Sequence, residues 1–502
     1  MRKILIIGNH PLLFNLIQQY KANGSEIHHY QKNDDEVIRN IDCDELFLLS
    51  DINYESVVEA DNMALVQLGR IASNIKKGEK KKICHLMLRS HEMLQRLHSL
   101  DFCEAIREKL DVYLFTMEEI WSRTLRLDYE PITIESEKHI HLVIIGMDEM
   151  AETLAFQSAL IAHYPNYIRD LSKRTRITIV DKQMCQKSKD FINRYQHLFE
   201  NSYYRIVNLT EAKPISLHKP KYNGIREDFV DVEWEFVEAT IDNLAVRKDF
   251  LDWATDNNQL LTIVMAHSED NQNIREATLL PNAIYQQSIP IYVYTPHNID
   301  FIIAPNMIPF GMQDRGYDVT MPFVGMAKNI NYIYRRCYED NIEQWKNLLR
   351  NVVEIDKTVR DALWEELPYI KRMSCIYHAM TIATKMRSIG LSENDWKGFN
   401  DISMQNIEIL AQVEHNRWCI EELILGWRPC TEEEQKMVEA DIKMKKELKK
   451  QKIHYDLRAY HDLRPDEIGK PVEIYDMCLC SFLPLIARTF IEEQKGVGTR
   501  IF

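Results

Sequence analysis

The sequence predicts an α/β protein with two parallel-sheet domains in tandem, followed by an all-α connector and a small, mainly helical domain. Three observations lead to this fold class. Short, almost entirely apolar runs, as expected of strands buried on both faces, alternate with helical patterns. A strand that ends at a glycine turn and leads into a helix occurs twice, at Gly8 and at Gly146. Strand patterns stop near Ile330, and helical patterns follow.

The first domain is expected to open with an apolar run over residues 3–7 that ends at Gly8 and leads into a helical pattern from Pro11. A strand at Ile27–Tyr30 completes the start of a parallel α/β unit. The remaining elements predicted in this half are strands at Glu45–Leu49 and Ile83–Leu88 and helices at Glu55–Ala72 and Met117–Leu125.

The second domain restarts the same pattern at His141. An apolar run ends at Gly146, a helix is predicted over Glu149–His163, and a strand over Ile177–Asp181 ends in an acidic residue. Later strands are predicted at Val230–Val237, Leu260–Met265 and Ile291–Tyr294.

The two halves also correspond to each other in detail. In each half an apolar strand is followed by an acidic residue and an asparagine, and then by another strand. The pair is Asp61 and Asn62 in the first half, and Asp270 and Asn273 in the second. This internal repeat predicts duplicated Rossmann-like domains.

Domain boundaries are expected at residues 1–130, 138–330, 331–400 and 401–502. Helices are predicted over 340–353 and 357–390 in the connector, and a last helical segment over 403–495. The polar segment 391–401 carries Gly398 and predicts that the C-terminal domain is separable from the rest.

Composition indicates a cytosolic protein and disfavours several classes of partner and location. The 502 residues carry a net charge of −14, which disfavours binding to nucleic acid or to anionic membranes. The ten cysteines show no CxxC or zinc-ligand spacing, so we expect buried thiols in a reducing cytosol. The apolar run Met477–Ala487 is too short to span a bilayer, and Met1-Arg2-Lys3 leads straight into a strand rather than into a signal peptide.

Glycine turns are the first candidate sites. A dinucleotide-binding loop has the pattern G-x-G-x-x-G, whose middle glycine lets the backbone approach the pyrophosphate. The turn at Gly8 has His10 in that place, and the turn at Gly146 has Asp148. Asp181 lies at a strand end, as a ribose-binding acid would. We therefore expect a nucleoside or nucleotide at Gly146 and Asp181 at most, and we expect NAD to bind poorly.

These pieces resemble the TrkA-N family, the Rossmann-like nucleotide-sensing domains that regulate potassium transporters and channels. The resemblance lies in the strand and glycine turn, the strand ending at Asp181, and Asp270-x-x-Asn273 before a helix. It covers roughly residues 1–130 and 139–330. It implies domains that commonly dimerise, and it leaves a membrane protein open as a partner.

A more specific pattern occurs near the C-terminus. Leu410-Ala411 precedes His415 and Trp418, which lie three residues apart and therefore on one helix face. Gly426-Trp427 suits a helix that ends at a glycine, with the tryptophan folded back. After a lysine-rich helix comes Lys452-x-His454-x-x-Leu-x-x-Tyr460-x-x-Leu.

In this order the motifs resemble the RyR domain, a repeat found in ryanodine receptors and in many bacterial proteins. The resemblance implies a regulatory or ligand-binding module without catalytic activity. Aromatic faces stack on purine bases, while lysine and histidine hold phosphate or carboxylate. The candidate binding residues are His415, Trp418, Trp427, Lys452, His454 and Tyr460. The alternative is that the two tryptophans simply form the core of a small domain.

The expected function is that of a non-enzymatic cytosolic sensor. It would bind a small nucleotide-like ligand through the RyR-like domain, the second Rossmann-like domain, or both. No catalytic residue and no metal ligand is predicted, and a homodimer through the Rossmann-like pair is left open. Two other functions also stay open: an NAD(P)-dependent oxidoreductase or nucleotide-processing enzyme, and a ligand-free interaction scaffold.

Overall fold

The computed structural model describes residues 1–31, 41–50, 56–98, 102–209, 216–222, 224, 228–297, 303–339, 355–391, 402–465 and 471–487. Two mainly parallel sheets carry the N-terminal two thirds of the chain, and helices dominate the rest. The α/β class with parallel sheets is therefore confirmed.

The first sheet is entirely parallel, and its strand order is β2-β1-β3-β4-β5. Its strands are β1 (Lys3–Ile7), β2 (Glu26–Tyr30), β3 (Glu45–Leu48), β4 (Lys82–Met87) and β5 (Leu110–Phe115). The helices are α1 (Leu12–Ala22), α2 (Val57–Asn74), α3 (His91–His98), α4 (Glu104–Arg107) and α5 (Met117–Ser122). Apolar side chains on both faces of the central strands are fully buried, as their near-continuous apolar pattern predicts.

The second sheet has the order β13-β12-β11-β6-β7-β10-β8-β9. Its strands are β6 (His139–Ile145), β7 (Thr175–Asp181), β8 (Tyr203–Asn208), β9 (Ser216–His218), β10 (Val232–Glu238), β11 (Gln259–Met265), β12 (Ile291–Tyr294) and β13 (Met307–Phe310). The six strands from β13 to β10 follow the doubly wound order of dinucleotide-binding sheets. Strand β8 extends that sheet in parallel, and β9 closes the edge antiparallel to β8.

Seven α-helices of this second part lie within the described residues. They are α6 (Glu149–Ile161), α7 (Asn166–Arg169), α8 (Met184–Arg194), α9 (Gln196–Glu200), α10 (Leu244–Thr255), α11 (Asp270–Thr278) and α12 (Asn282–Gln286). The repeat predicted from the sequence is matched only in part, because the similar contacts are made by Asp61 in the first half and by Asn273, rather than Asp270, in the second. Asp61 on α2 accepts hydrogen bonds from the backbone after β4, and Asn273 on α11 binds the backbone at the ends of β11 and β12.

The C-terminal part consists mostly of helices. They are α13 (Pro322–Glu339), α14 (Lys357–Glu366), α15 (Tyr369–Met380), α16 (Ile382–Ser388), α17 (Met404–Ile424), α18 (Glu432–Ala440), α19 (Met444–Lys449) and α20 (Glu473–Ser481). Beside these helices the predicted, mainly helical C-terminal domain contains a small parallel pair of strands, β14 (Arg428–Pro429) and β15 (Ile453–His454). Strands of two residues are too short to leave a periodic pattern. The helix predicted over 340–353 and nearly all of segment 391–401 lie outside the described residues.

Helix α17 is the centre of the C-terminal part. It is buried on almost every side and contacts α6, α7 and α9 of the second sheet as well as α15 and α20. The buried Glu414 carboxylate pairs with Lys385 and with His378, both from the predicted connector, and with Arg417 of its own helix. The C-terminal module thus shares charged as well as apolar contacts with what precedes it.

The prediction that the cysteines are buried free thiols is wrong for one pair of them. Cys337 on α13 and Cys478 on α20 form a disulfide across 141 residues, and each is 1% exposed. Sequence spacing carries no information about a pair so far apart. The other eight cysteines are free, Cys480 among them as a buried packing residue.

Candidate functional site

The C-terminal module begins with a capped helix and a tight turn. The Ser403 hydroxyl accepts a hydrogen bond from the Asn406 amide at the start of α17. At the other end, Gly426 has φ +82°, which favours glycine, and its amide donates to the carbonyl of Leu423. The Trp427 amide donates to the carbonyl of Glu422, which completes a Schellman motif. The predicted glycine end of this helix is confirmed, and it directs Trp427 back along α17.

Five of the six predicted binding residues form a continuous row of rings. Ring centroids are 5.8 Å apart between Tyr460 and His415, 5.6 Å between His415 and Trp418, 4.9 Å between Trp418 and His454, and 5.7 Å between His454 and Trp427. We call these five side chains the aromatic row. The sixth residue, Lys452, is exposed beside it.

One end of the aromatic row is closed. His415 is 2% exposed, and its Nε2 donates to the carbonyl of Arg458 at 2.8 Å. Its Nδ1 lies 3.6 Å from the Asp476 carboxylate. Tyr460 is also buried, and burial raises the pKa of its hydroxyl. These two rings therefore position the row and leave little room for a ligand.

The other end is open. Trp418 and Trp427 are partly exposed, and His454 lies between them. The Asp456 amide donates to Nδ1 of His454 at 3.2 Å, so the proton of the neutral ring is on Nε2. Burial, and then the nearby Lys449, lower the pKa of His454 to about 3. At neutral pH this imidazole is therefore an uncharged donor.

Sequence reasoning missed the charged groups beside this open end. Glu422 is 4% exposed, and the Trp418 indole one turn before it is among the groups that act on its carboxyl. Burial raises the pKa of Glu422 to about 7, although Lys371 lies 3.8 Å away. Lys449 acts electrostatically on both Glu422 and His454. Glu422 could have been found, since it lies one turn after Trp418, but Lys371 comes from α15 and no local pattern indicates it.

Lys452 completes the positive surroundings of the row. Its backbone has φ +56°, and its ammonium donates to the carbonyl of Leu425, at the end of α17, at 3.0 Å. Three lysines, Lys371, Lys449 and Lys452, therefore surround two partly exposed tryptophans. We call this arrangement the lysine–tryptophan cleft.

The glycine turn of the second sheet is filled by the protein's own polar groups. Gly146 has φ +99°, and a Cβ there would lie 2.8 Å from the His267 ring. The Asp148 carboxylate accepts hydrogen bonds from the Ser268 amide and hydroxyl. Lys187 bridges Asp148 and Asp181 at 3.3 and 3.0 Å. A pyrophosphate would have to displace these contacts.

Comparison with protein-family models, with curated proteins and with solved structures gave no match. The resemblances to the TrkA-N and RyR families accordingly stay predictions. Within the described residues, no helix is both long and apolar enough to cross a membrane.

Proposed function

We propose that this chain is a non-enzymatic regulatory protein of the cytosol that binds a nucleotide-like anion in the lysine–tryptophan cleft. The observation that carries the proposal is a group of three lysines beside two partly exposed tryptophans, in a chain whose net charge is −14. Indole faces suit the stacking of a base, and lysine ammonium groups suit phosphate oxygens. The neutral Nε2–H of His454 adds a donor between them.

The cleft is better suited to this ligand than the turn at Gly146. At that turn the place of the close-approach glycine holds Asp148, whose carboxylate would repel a phosphate. Lys187 is already shared between two carboxylates. An enzyme that uses a nicotinamide cofactor there is therefore the second choice.

Binding in the cleft would couple two parts of the chain. Lys371 lies on α15 in the predicted connector, whereas both tryptophans belong to the C-terminal module. An anion held by Lys371 and Lys449 would favour the arrangement in which α15 and α19 approach each other. A ligand shifts such an equilibrium only by its differential affinity for the two arrangements.

The proposal is tested first by thermal-shift measurements with mono-, di- and cyclic nucleotides, followed by mass spectrometry of any co-purifying species. A nucleotide that raises the melting temperature supports a sensor. A bound cofactor with the absorbance of a reduced nicotinamide would instead support the oxidoreductase. No shift with any nucleotide would support the ligand-free scaffold.

Variants then locate the site. Lys449→Gln should weaken binding of the best nucleotide about tenfold, because a charge-assisted hydrogen bond is lost. Lys446→Gln is the matched control on the same helix, since Lys446 is exposed and lies outside the cleft. Equal effects of the two substitutions would mean that the ligand responds only to the general charge of α19, and the cleft assignment would be wrong.

A further inference from the structure

We propose that a second, separate site binds an apolar molecule carrying one carboxylate, such as a medium-chain acyl anion. The site is a cavity of about 340 Å³ between β5, the segment 123–128 and helices α13, α15 and α16. That volume lies within the range of small-molecule sites, roughly 300–1,000 Å³. None of the predicted binding residues lines the cavity.

The cavity wall is mainly apolar. Its side chains come from the first sheet, from the start of α13 and from one face of α15 and α16. Representative lining residues are Leu114, Leu125, Phe323, Met373, Ile376 and Ala383. A cavity with such a wall favours a hydrocarbon or a ring over a nucleotide phosphate.

One tyrosine hydroxyl is available at this cavity. Tyr164 is 5% exposed, lines the cavity, and makes no hydrogen bond through its hydroxyl within the described part of the chain. A molecule in the cavity can therefore use this hydroxyl as a hydrogen-bond donor. Burial raises the pKa of Tyr164, which keeps its hydroxyl protonated and able to donate.

The charges near Tyr164 indicate the sign of the ligand. Arg387 is held by the Asp128 carboxylate through two hydrogen bonds of 2.7 and 2.8 Å. Arg126 is exposed, and in the described residues its side chain reaches only the carbonyl of Asp128, at 3.5 Å. Both Tyr164 and Arg126 thus have donors to offer, and an acceptor with negative charge fits them.

Asp318 also lines the cavity, but its carboxylate already has hydrogen-bond donors from the protein and so does not favour a cationic ligand. It accepts hydrogen bonds from both the amide and the hydroxyl of Thr320, at 2.8 and 2.7 Å. The groups that act on the Tyr164 hydroxyl are instead Asp128, Arg387 and Arg126. A ligand carboxylate is therefore expected at the end of the cavity where the Arg126 guanidinium acts on the Tyr164 hydroxyl.

The test uses the full chain and isothermal titration calorimetry with decanoate, 1-decanol and decyltrimethylammonium, each below its micelle concentration. Decanoate should bind with one site per chain, more tightly than the alcohol, and the cation should bind least. Arg126→Gln should weaken decanoate binding about tenfold and leave decanol binding unchanged, because only the anion uses the guanidinium. Tyr164→Phe should weaken decanoate binding several-fold.

Two further variants make the result decisive. Ala383→Phe should reduce binding of both decanoate and decanol by filling the cavity, and Arg70→Gln, an exposed arginine on α2, should change neither. Melting curves check that each variant is folded. If Ala383→Phe does not fold, Arg126→Gln still tests the proposal. Absence of decanoate binding, tighter binding of the cation, or wild-type decanoate affinity in Arg126→Gln would each overturn the proposal.

Discussion

Glu422 gives the sharpest prediction, because its environment makes stability depend on pH in a known direction. Its side chain lies beside Trp418 in the lysine–tryptophan cleft and is 4% exposed. Burial raises its pKa from 4.5 to about 7, against the opposing attraction of Lys371. We predict that Glu422→Gln stabilises the protein at pH 8 and has little effect at pH 5.

The magnitude follows from the two pKa values. In the unfolded chain this carboxyl ionises near pH 4.5, whereas in the folded chain it ionises near pH 7. Below pH 4.5 it is protonated in both states and has no effect on the free energy of unfolding. As pH rises from 4.5 to 7, the free energy of unfolding falls. Above pH 7 the loss is complete and amounts to about 3 kcal/mol. Glutamine removes this loss, because it has nearly the same shape as glutamate and carries no charge at any pH.

Urea unfolding at pH 5, 6, 7 and 8 measures the effect. The difference between Glu422→Gln and the wild type should grow steadily with pH, and most of it should appear between pH 5 and 7. Glu433→Gln, at an exposed position on α18, is the control and should show no such trend. If Glu422→Gln changes stability equally at every pH, the raised pKa assigned to Glu422 is wrong.

Three other predictions concern the remaining parts of the chain. A fragment of residues 402–502 should be molten or aggregated by circular dichroism, because Lys385 and His378 would no longer pair with Glu414; a cooperative melt would contradict this. Glu414→Gln in the full chain should lower the free energy of unfolding by about 3–5 kcal/mol in urea titrations, as expected when one partner leaves a buried ionic cluster. NAD should bind with a dissociation constant above about 0.1 mM by calorimetry, because Asp148 closes the glycine turn; micromolar binding would revive the enzyme interpretation.

Most of the strands that could be predicted have nearly continuous apolar runs, although Ile27–Tyr30 and Val230–Val237 are predicted despite their polar residues. Ile291–Tyr294 was placed to the residue, and Leu260–Met265 to within one residue of β11. Strand β5 is not predicted from the sequence, because Asp111 and Tyr113 interrupt its apolar pattern. Asp111 is paired with Arg372 of α15, so the polar position is satisfied by a partner 261 residues away. Strand β13 was missed because it contains Pro309, which is characteristic of an edge strand.

The structure brings the predicted rings together, but the sequence does not indicate which of them are accessible. Sequence analysis leaves two interpretations of Trp418 and Trp427 open, as binding residues or as the core of a small domain. In the structure His415 and Tyr460 are buried, whereas Trp418, Trp427 and His454 are partly exposed. The reason is that α17 is buried nearly all round, so its polar residues find partners inside. No periodic pattern distinguishes such a helix from a surface helix.

Helix α15 connects the two proposed sites through opposite faces. Lys371, Ser374 and His378 face α17, where they contact Glu422, Glu421 and Glu414 in turn. On the opposite face of α15, Met373 and Ile376 line the apolar cavity.

A packed helix moves as one element, so a molecule that changes the position of α15 at one face changes the geometry at the other. If both sites bind, linkage requires the effect to be reciprocal. Decanoate should change the affinity for the best nucleotide by a certain factor, and that nucleotide should change the affinity for decanoate by the same factor. Calorimetric titrations in both orders measure the two factors. A factor of one in both directions would mean that α15 holds the same position whichever site is filled.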